Sequence, residues 1–146
     1  MKALLAMMKV ILASAIFSVV SVSAMAAGSS AGYGNGGLLS RFDPVVAQYN
    51  QSGELFRIEG HCQSSCTLFL FIKNVCVERG ARLLFHAGHN RAREITATAT
   101  NHLMNPYNAS LRSYLVANKA METLAFHTVS GGDLIRKFGY RECPKK

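Results

Sequence analysis

The sequence predicts one small α/β domain, stapled by disulfides and carried behind a removable leader. Three observations predict it. Short apolar runs alternate with stretches of helical spacing, four cysteines sit in a short chain, and the first residues read as an export signal. Lys2 and Lys9 form a positive n-region, and "VILASAIFSVV" from Val10 to Val20 is an apolar h-region. Ala24-Met25-Ala26 supplies small residues at the two positions a signal peptidase reads, which places cleavage after Ala26. The uncharged core is short for a membrane span and lacks a polybasic far flank, so a permanent anchor fits less well.

Removing residues 1–26 leaves 120 of the 146 residues, one domain's worth, and lowers the formal charge from +8 to +6. The remaining basic residues are scattered, with Arg79, Arg82, Arg91 and Arg93 the nearest to a cluster. No aromatic residues alternate with them as on a single-strand-binding surface, so they read as a solvated face and nucleic acid is not an expected partner. In an exported chain the four cysteines point to two disulfides. Closing Cys62 to Cys66 within one turn fits poorly if a helix begins there, so the expected pairs are Cys66–Cys76 and Cys62–Cys143.

Taken in order, residues 27–35 are rich in Gly, Ser and Ala and read as flexible. "FDPVVAQYNQSG" reads as a helix, with Asp43 as its cap, Pro44 in its first position and Gly53 just past its end. "ELFRIEG" is a short strand. "SSCTLFLFIKN" suits either a helix capped by serine or a buried strand, because its apolar run is continuous. "VCVE" and "RLLFH" are two further strands around the turn "RGA", and "HAGHNRAREIT" is polar and irregular. From Thr98 the chain reads as helical to its end, with Tyr107, Leu111, Tyr114 and Leu115 on one face and Ser130-Gly131-Gly132-Asp133 a loop and cap before "LIRKFG".

Three features carry chemistry in a particular order. Gly36-Gly37 closes a loop before a helix, Ser64 sits at a strand end inside "GHCQSSC", and His86 ends the strand "RLLFH". Acyl transfer needs a hydroxyl, a base to take its proton, and backbone N–H donors for the oxyanion. A Gly-Gly turn lets the backbone come close, and a serine at a helix start lies where negative charge is favoured. Ser64 also suits a plain helix cap. The five histidines include "HAGH" at 86–89, but no paired CxxC, HExxH or nearby carboxylate completes a metal shell, so neither metal nor cofactor is expected.

The order of these motifs resembles the Clp protease proteolytic subunit and, more broadly, the crotonase-like superfamily. There a "PGG" loop forms the oxyanion hole, the nucleophile lies in a "GxAASMG" turn, and the base ends a strand in "CLPxSRVMIH". "NGG", "GHCQSSC" and "CVERGARLLFH" resemble these three in turn. The chain also resembles short exported proteobacterial proteins with a "GxCxSACT…C…FH" pattern and a final cysteine. The resemblance spans roughly Gly36 to Cys143. It implies a small crotonase-like domain with a helical C-terminal half, a helix after Ser64, Ser64 as nucleophile, His86 as base, and the amides of Gly37 and Ser65 as oxyanion donors. The implied activity is that of a serine hydrolase acting on a peptide or ester. A homo-oligomer is left open.

The departures are specific. The family's triad aspartate precedes an "FMSxxEA" segment, whereas "AFHTVSGGDL" puts Phe126 or His127 at that place. Asp133 and Glu122 are the carboxylates to examine instead. An exported compartment lacks ATP, so an ATP-driven unfoldase is not an expected partner. Without a triad acid, the alternative is a non-catalytic binding or assembly module that keeps the fold and takes a protein ligand.

Overall fold

The computed structural model describes residues 27–146. The leader assigned to residues 1–26 lies outside the described residues. The architecture is mixed α/β, with two three-stranded sheets. In the first, β1 (Gly28–Ser29), β2 (Phe56–Ile58) and β4 (Val75–Val77) run parallel in that order. In the second, β5 (Arg82–Phe85) lies between β3 (His61–Gln63), parallel to it, and β6 (His127–Ser130), antiparallel.

The chain crosses between the sheets twice by similar steps. β2 passes into β3 through Gly60 (φ 62°), and β4 passes into β5 through "ERGA", where the Ala81 amide bonds the Glu78 carbonyl at 2.9 Å. The two crossings are tied together, since the Arg82 amide donates to the Gly60 carbonyl at 2.8 Å. They leave β3 and β5 side by side and parallel, ending at the same edge with Gln63 opposite Leu84.

α1 spans Leu39–Ser52 and ends at Gly53 (φ 72°), whose amide reaches the Tyr49 carbonyl. It starts four residues before the expected Asp43 cap, which leaves Pro44 inside the helix. The earlier start buries Phe42 completely, against Tyr33 and Phe69, and that packing outweighs the one backbone bond proline forfeits. Asp43 instead accepts from His102 at 2.9 Å. Residues 64–71, the ambiguous apolar run, form a 3₁₀ helix. Ser65 to Leu70 are all buried, as a helix apolar on every side must be.

α2 (Ala97–Met104) and α3 (Ala109–Ala117) are capped by Thr96 and Asn108, and α4 (Gly131–Arg136) by Ser130. The C-terminal half departs from the all-helical expectation, because β6 completes the second sheet with Val129 buried on it. Residues 27–35 make specific contacts with the first sheet. Gly28 donates to Leu55, Ser30 is fully buried, and its Oγ exchanges hydrogen bonds with the Glu59 backbone at 2.9 and 3.1 Å.

The cysteines pair as Cys62–Cys66 and Cys76–Cys143, not as expected. The objection to Cys62–Cys66 rested on a helix beginning there. Cys62 lies in strand β3, and the turn at Ser64 folds Cys66 back to a Cα–Cα distance of 5.2 Å. Cys143 reaches Cys76 because the C-terminal segment lies along β4, Val77 exchanging backbone bonds with Arg141 and Cys143. One cluster of buried side chains runs through the described residues, from Phe42 to Phe138. No helix among the described residues is long and apolar enough to cross a membrane. Two intact disulfides fit an oxidising compartment.

Candidate active site

The shared edge of β3 and β5 builds the site. Ser64 follows the last residue of β3, and His86 follows the last residue of β5. The register that sets Gln63 opposite Leu84 therefore brings their side chains together. Ser64 Oγ and His86 Nε2 stand 2.7 Å apart, at hydrogen-bonding distance. Ser64 holds a positive φ of 55°, a region where a side chain is disfavoured and which recurs at functional sites.

Neighbouring groups pin this turn. Thr67 Oγ1 donates to the Ser64 carbonyl at 2.7 Å and meets the buried Tyr107 hydroxyl at 2.5 Å. The Cys62–Cys66 disulfide spans the serine, and Ser65 Oγ donates to the Gly37 carbonyl at 2.6 Å. The Gly-Gly loop lies directly over the turn. A Cβ on Gly36 would stand 2.8 Å from the Gln63 carbonyl oxygen and 2.9 Å from Ser64 Cβ, so no larger residue fits there. Gly37 and Ser65 both line the same cleft as Ser64 and His86. The Ser65 amide lies in the first turn of the 3₁₀ helix, where no helical acceptor precedes it, and the Gly37 amide makes no hydrogen bond among the described residues.

His86 is 6% exposed. Burial pushes its imidazole pKa below the ordinary value, the charges of His89 and Arg93 push the same way, and the adjacent Ala87 backbone, close to the ring but outside hydrogen-bonding geometry, opposes them less strongly. A neutral ring with Nε2 facing a hydroxyl is the form a general base requires. That form carries its proton on Nδ1, which is buried without a hydrogen-bond partner among the described residues. The ring is held by packing instead. Phe126 meets it edge-on at 5.2 Å between centroids, and His89 stacks on it at 5.8 Å.

Neither carboxylate considered for the third position reaches His86. β6 runs antiparallel to β5 with Ser130 opposite Arg82, so Asp133, beyond Ser130, lies at the far end of the strand from His86. There it binds Arg136 and Lys137, which hold its carboxyl below the usual range. Glu122 is exposed and makes no bond to His86. The residues that stand at the His86 end are Phe126 and His127. Of these, Phe126 covers the imidazole and His127 bonds the Tyr114 hydroxyl at 3.1 Å.

Comparison with family models, curated proteins and solved structures finds no match.

Ser64 and His86 open into a cleft of about 900 Å³. Its walls include Leu38, Leu103 and Phe126, and its rim carries Arg91 and Arg93. The sequence places the two arginines in a scattered, solvated basic group with Arg79 and Arg82, and the structure divides that group. Arg79 pairs with Glu142, while Arg91 and Arg93 face the cleft. Their place directly after "FHAGHN" was the available signal, since a loop leaving the strand that bears His86 stays near it. Among the described residues no three His, Cys, Asp or Glu side chains group as metal ligands.

Proposed function

We propose that the chain is an exported, crotonase-like serine hydrolase, a peptidase or esterase working in the periplasm or outside the cell with a Ser64–His86 dyad. The observation that carries this reading is the 2.7 Å contact between Ser64 Oγ and a buried His86 Nε2, with the serine on a positive-φ turn at the floor of an open cleft. Ser64 Oγ attacks the acyl carbon while His86 takes its proton. The amides of Gly37 and Ser65 receive the oxyanion. The imidazolium returns the proton to the leaving amine or alcohol, and water, deprotonated by His86, then releases the acyl group and regenerates the hydroxyl. With no acid to orient His86, the rate falls below that of a full triad, by up to about 10⁴-fold on the serine-protease precedent.

A fluorophosphonate probe should label the wild type, fail on Ser64→Ala and label His86→Ala far more slowly. Absence of labelling across a broad panel of acyl and phosphonate probes would sink the hydrolase. A second reading, a non-catalytic binding or assembly module, is favoured by one observation: the unpartnered Nδ1 leaves the base without a fixed tautomer. It predicts a bound partner that survives both Ser64→Ala and His86→Ala, with no labelling of the wild type.

A further inference from the structure

Charge and polarity are unevenly divided around the cleft. Of the described residues that line it, none is acidic, while Arg91, Arg93, His86 and His89 are basic. Arg91 and Arg93 enter no ion pair among the described residues, unlike Arg57, Arg79 and Arg136. Their loop is built rather than loose. His89 bridges Ile95, the Asn90 and Glu94 backbones bond at 2.9 Å, and Asn90 Oδ1 accepts the Glu94 amide at 3.0 Å. Arg93 sits at the turn with a φ of 64°, and its amide donates to the Asn90 carbonyl. Other lining residues are apolar. Leu38 is 60% exposed and Phe126 49%, and Leu103 and Leu124 line the same cleft, so apolar surface is gathered there.

We infer that this cleft selects an apolar chain carrying a carboxylate, the chain lying against Leu38, Leu103, Leu124 and Phe126 and the carboxylate meeting Arg91 and Arg93. This deepens the hydrolase reading by naming the class of acid that hydrolysis releases and the site holds, and it takes the cleft described above as the binding site. Guanidinium forks suit a carboxylate geometrically, and unpaired arginines give up no existing partner to bind one. The absence of acidic lining disfavours cationic ligands. A carboxylate on an apolar body arises either from a fatty acyl chain or from the free C-terminus of an apolar peptide.

The test is calorimetric titration of the oxidised Ser64→Ala protein, so that binding is read without turnover. The probes are octanoate and octanamide, and acetyl-Leu-Leu-Phe with a free or an amidated C-terminus. The acids should bind and the neutral forms should bind at least about tenfold more weakly, as should the acids to an Arg91→Ala/Arg93→Ala double variant. Added salt should weaken only the acids. Leu38→Ser should weaken octanoate without affecting its preference over octanamide. Stronger binding of octanoate identifies an acyl-chain ligand, and stronger binding of the peptide acid a peptide ligand. Equal affinity for acids and amides, no effect of the double arginine variant, or no binding by any probe overturns the inference. Carboxylate binding in a protein that no fluorophosphonate labels would leave this inference standing and remove the hydrolase.

Discussion

At Ser64 the left-handed backbone costs a serine roughly 1–2 kcal/mol that glycine would not lose. Ser64→Gly should therefore raise stability to urea by up to about 1 kcal/mol while abolishing probe labelling. A Ser64→Gly protein less stable than wild type would show that the hydroxyl itself supports the turn. His86 gives a pH prediction of definite sign. Its base form is the neutral one and burial lowers its pKa, so labelling should hold at neutral pH and fall only below the ordinary imidazole value of 6.5. The same shift affects folding. Below about pH 6.5 the unfolded chain takes the proton before the folded one, so stability declines as pH falls through that window. A labelling profile centred above pH 7 would contradict both.

At the scale of elements, the 3₁₀ helix is the part on which the site depends. Thr67 links the Ser64 carbonyl to Tyr107, whose phenol burial holds protonated far above its usual range. Thr67→Val leaves that hydroxyl without its partner in the core, at a cost of about 1–3 kcal/mol in a denaturant melt. It should also slow labelling of Ser64, because the turn loses its anchor. Tyr107→Phe should be milder, and adding it to Thr67→Val should cost less than the two single losses together. The packing of α2 on Gly88, where an added Cβ would meet the Ala99–Thr100 backbone, ties this region to the loop that bears Arg91 and Arg93.

The two disulfides act on different scales of the molecule. Cys76–Cys143 closes a loop with a sequence separation of 67, and Cys62–Cys66 one of 4. Chain entropy then assigns about 4 kcal/mol to the long closure and about 2 to the short one. Cys76→Ser/Cys143→Ser should lower the melting temperature more, and Cys62→Ser/Cys66→Ser should affect labelling of Ser64 more. Non-reducing peptide mapping should recover the pairs 62–66 and 76–143. The long bridge has company: Arg57, buried in β2, bonds Glu78 at 2.8 Å and the Pro144 carbonyl at 2.9 Å, so the C-terminal segment is fastened to the first sheet.

Local pattern in the sequence determined the α/β class, α1's end at Gly53, the strands β2, β4 and β5, and the place of Ser64 and His86 at strand ends. Each depends on residues within a few positions: a glycine after a helix, an apolar run bounded by a turn, a serine at a strand end. What the sequence left undecided depends on partners far along the chain. β1, β3 and β6 are two to four residues long and exist only because neighbouring strands complete their hydrogen bonds. The cysteine partners follow from where the C-terminal segment lies, and Phe42 moved the start of α1 by reaching the core. The antiparallel register of β6 carries Asp133 away from His86 and sets Phe126 against it. Only the tertiary structure could decide that, because the position beside an imidazole is fixed by strand direction and not by distance along the chain.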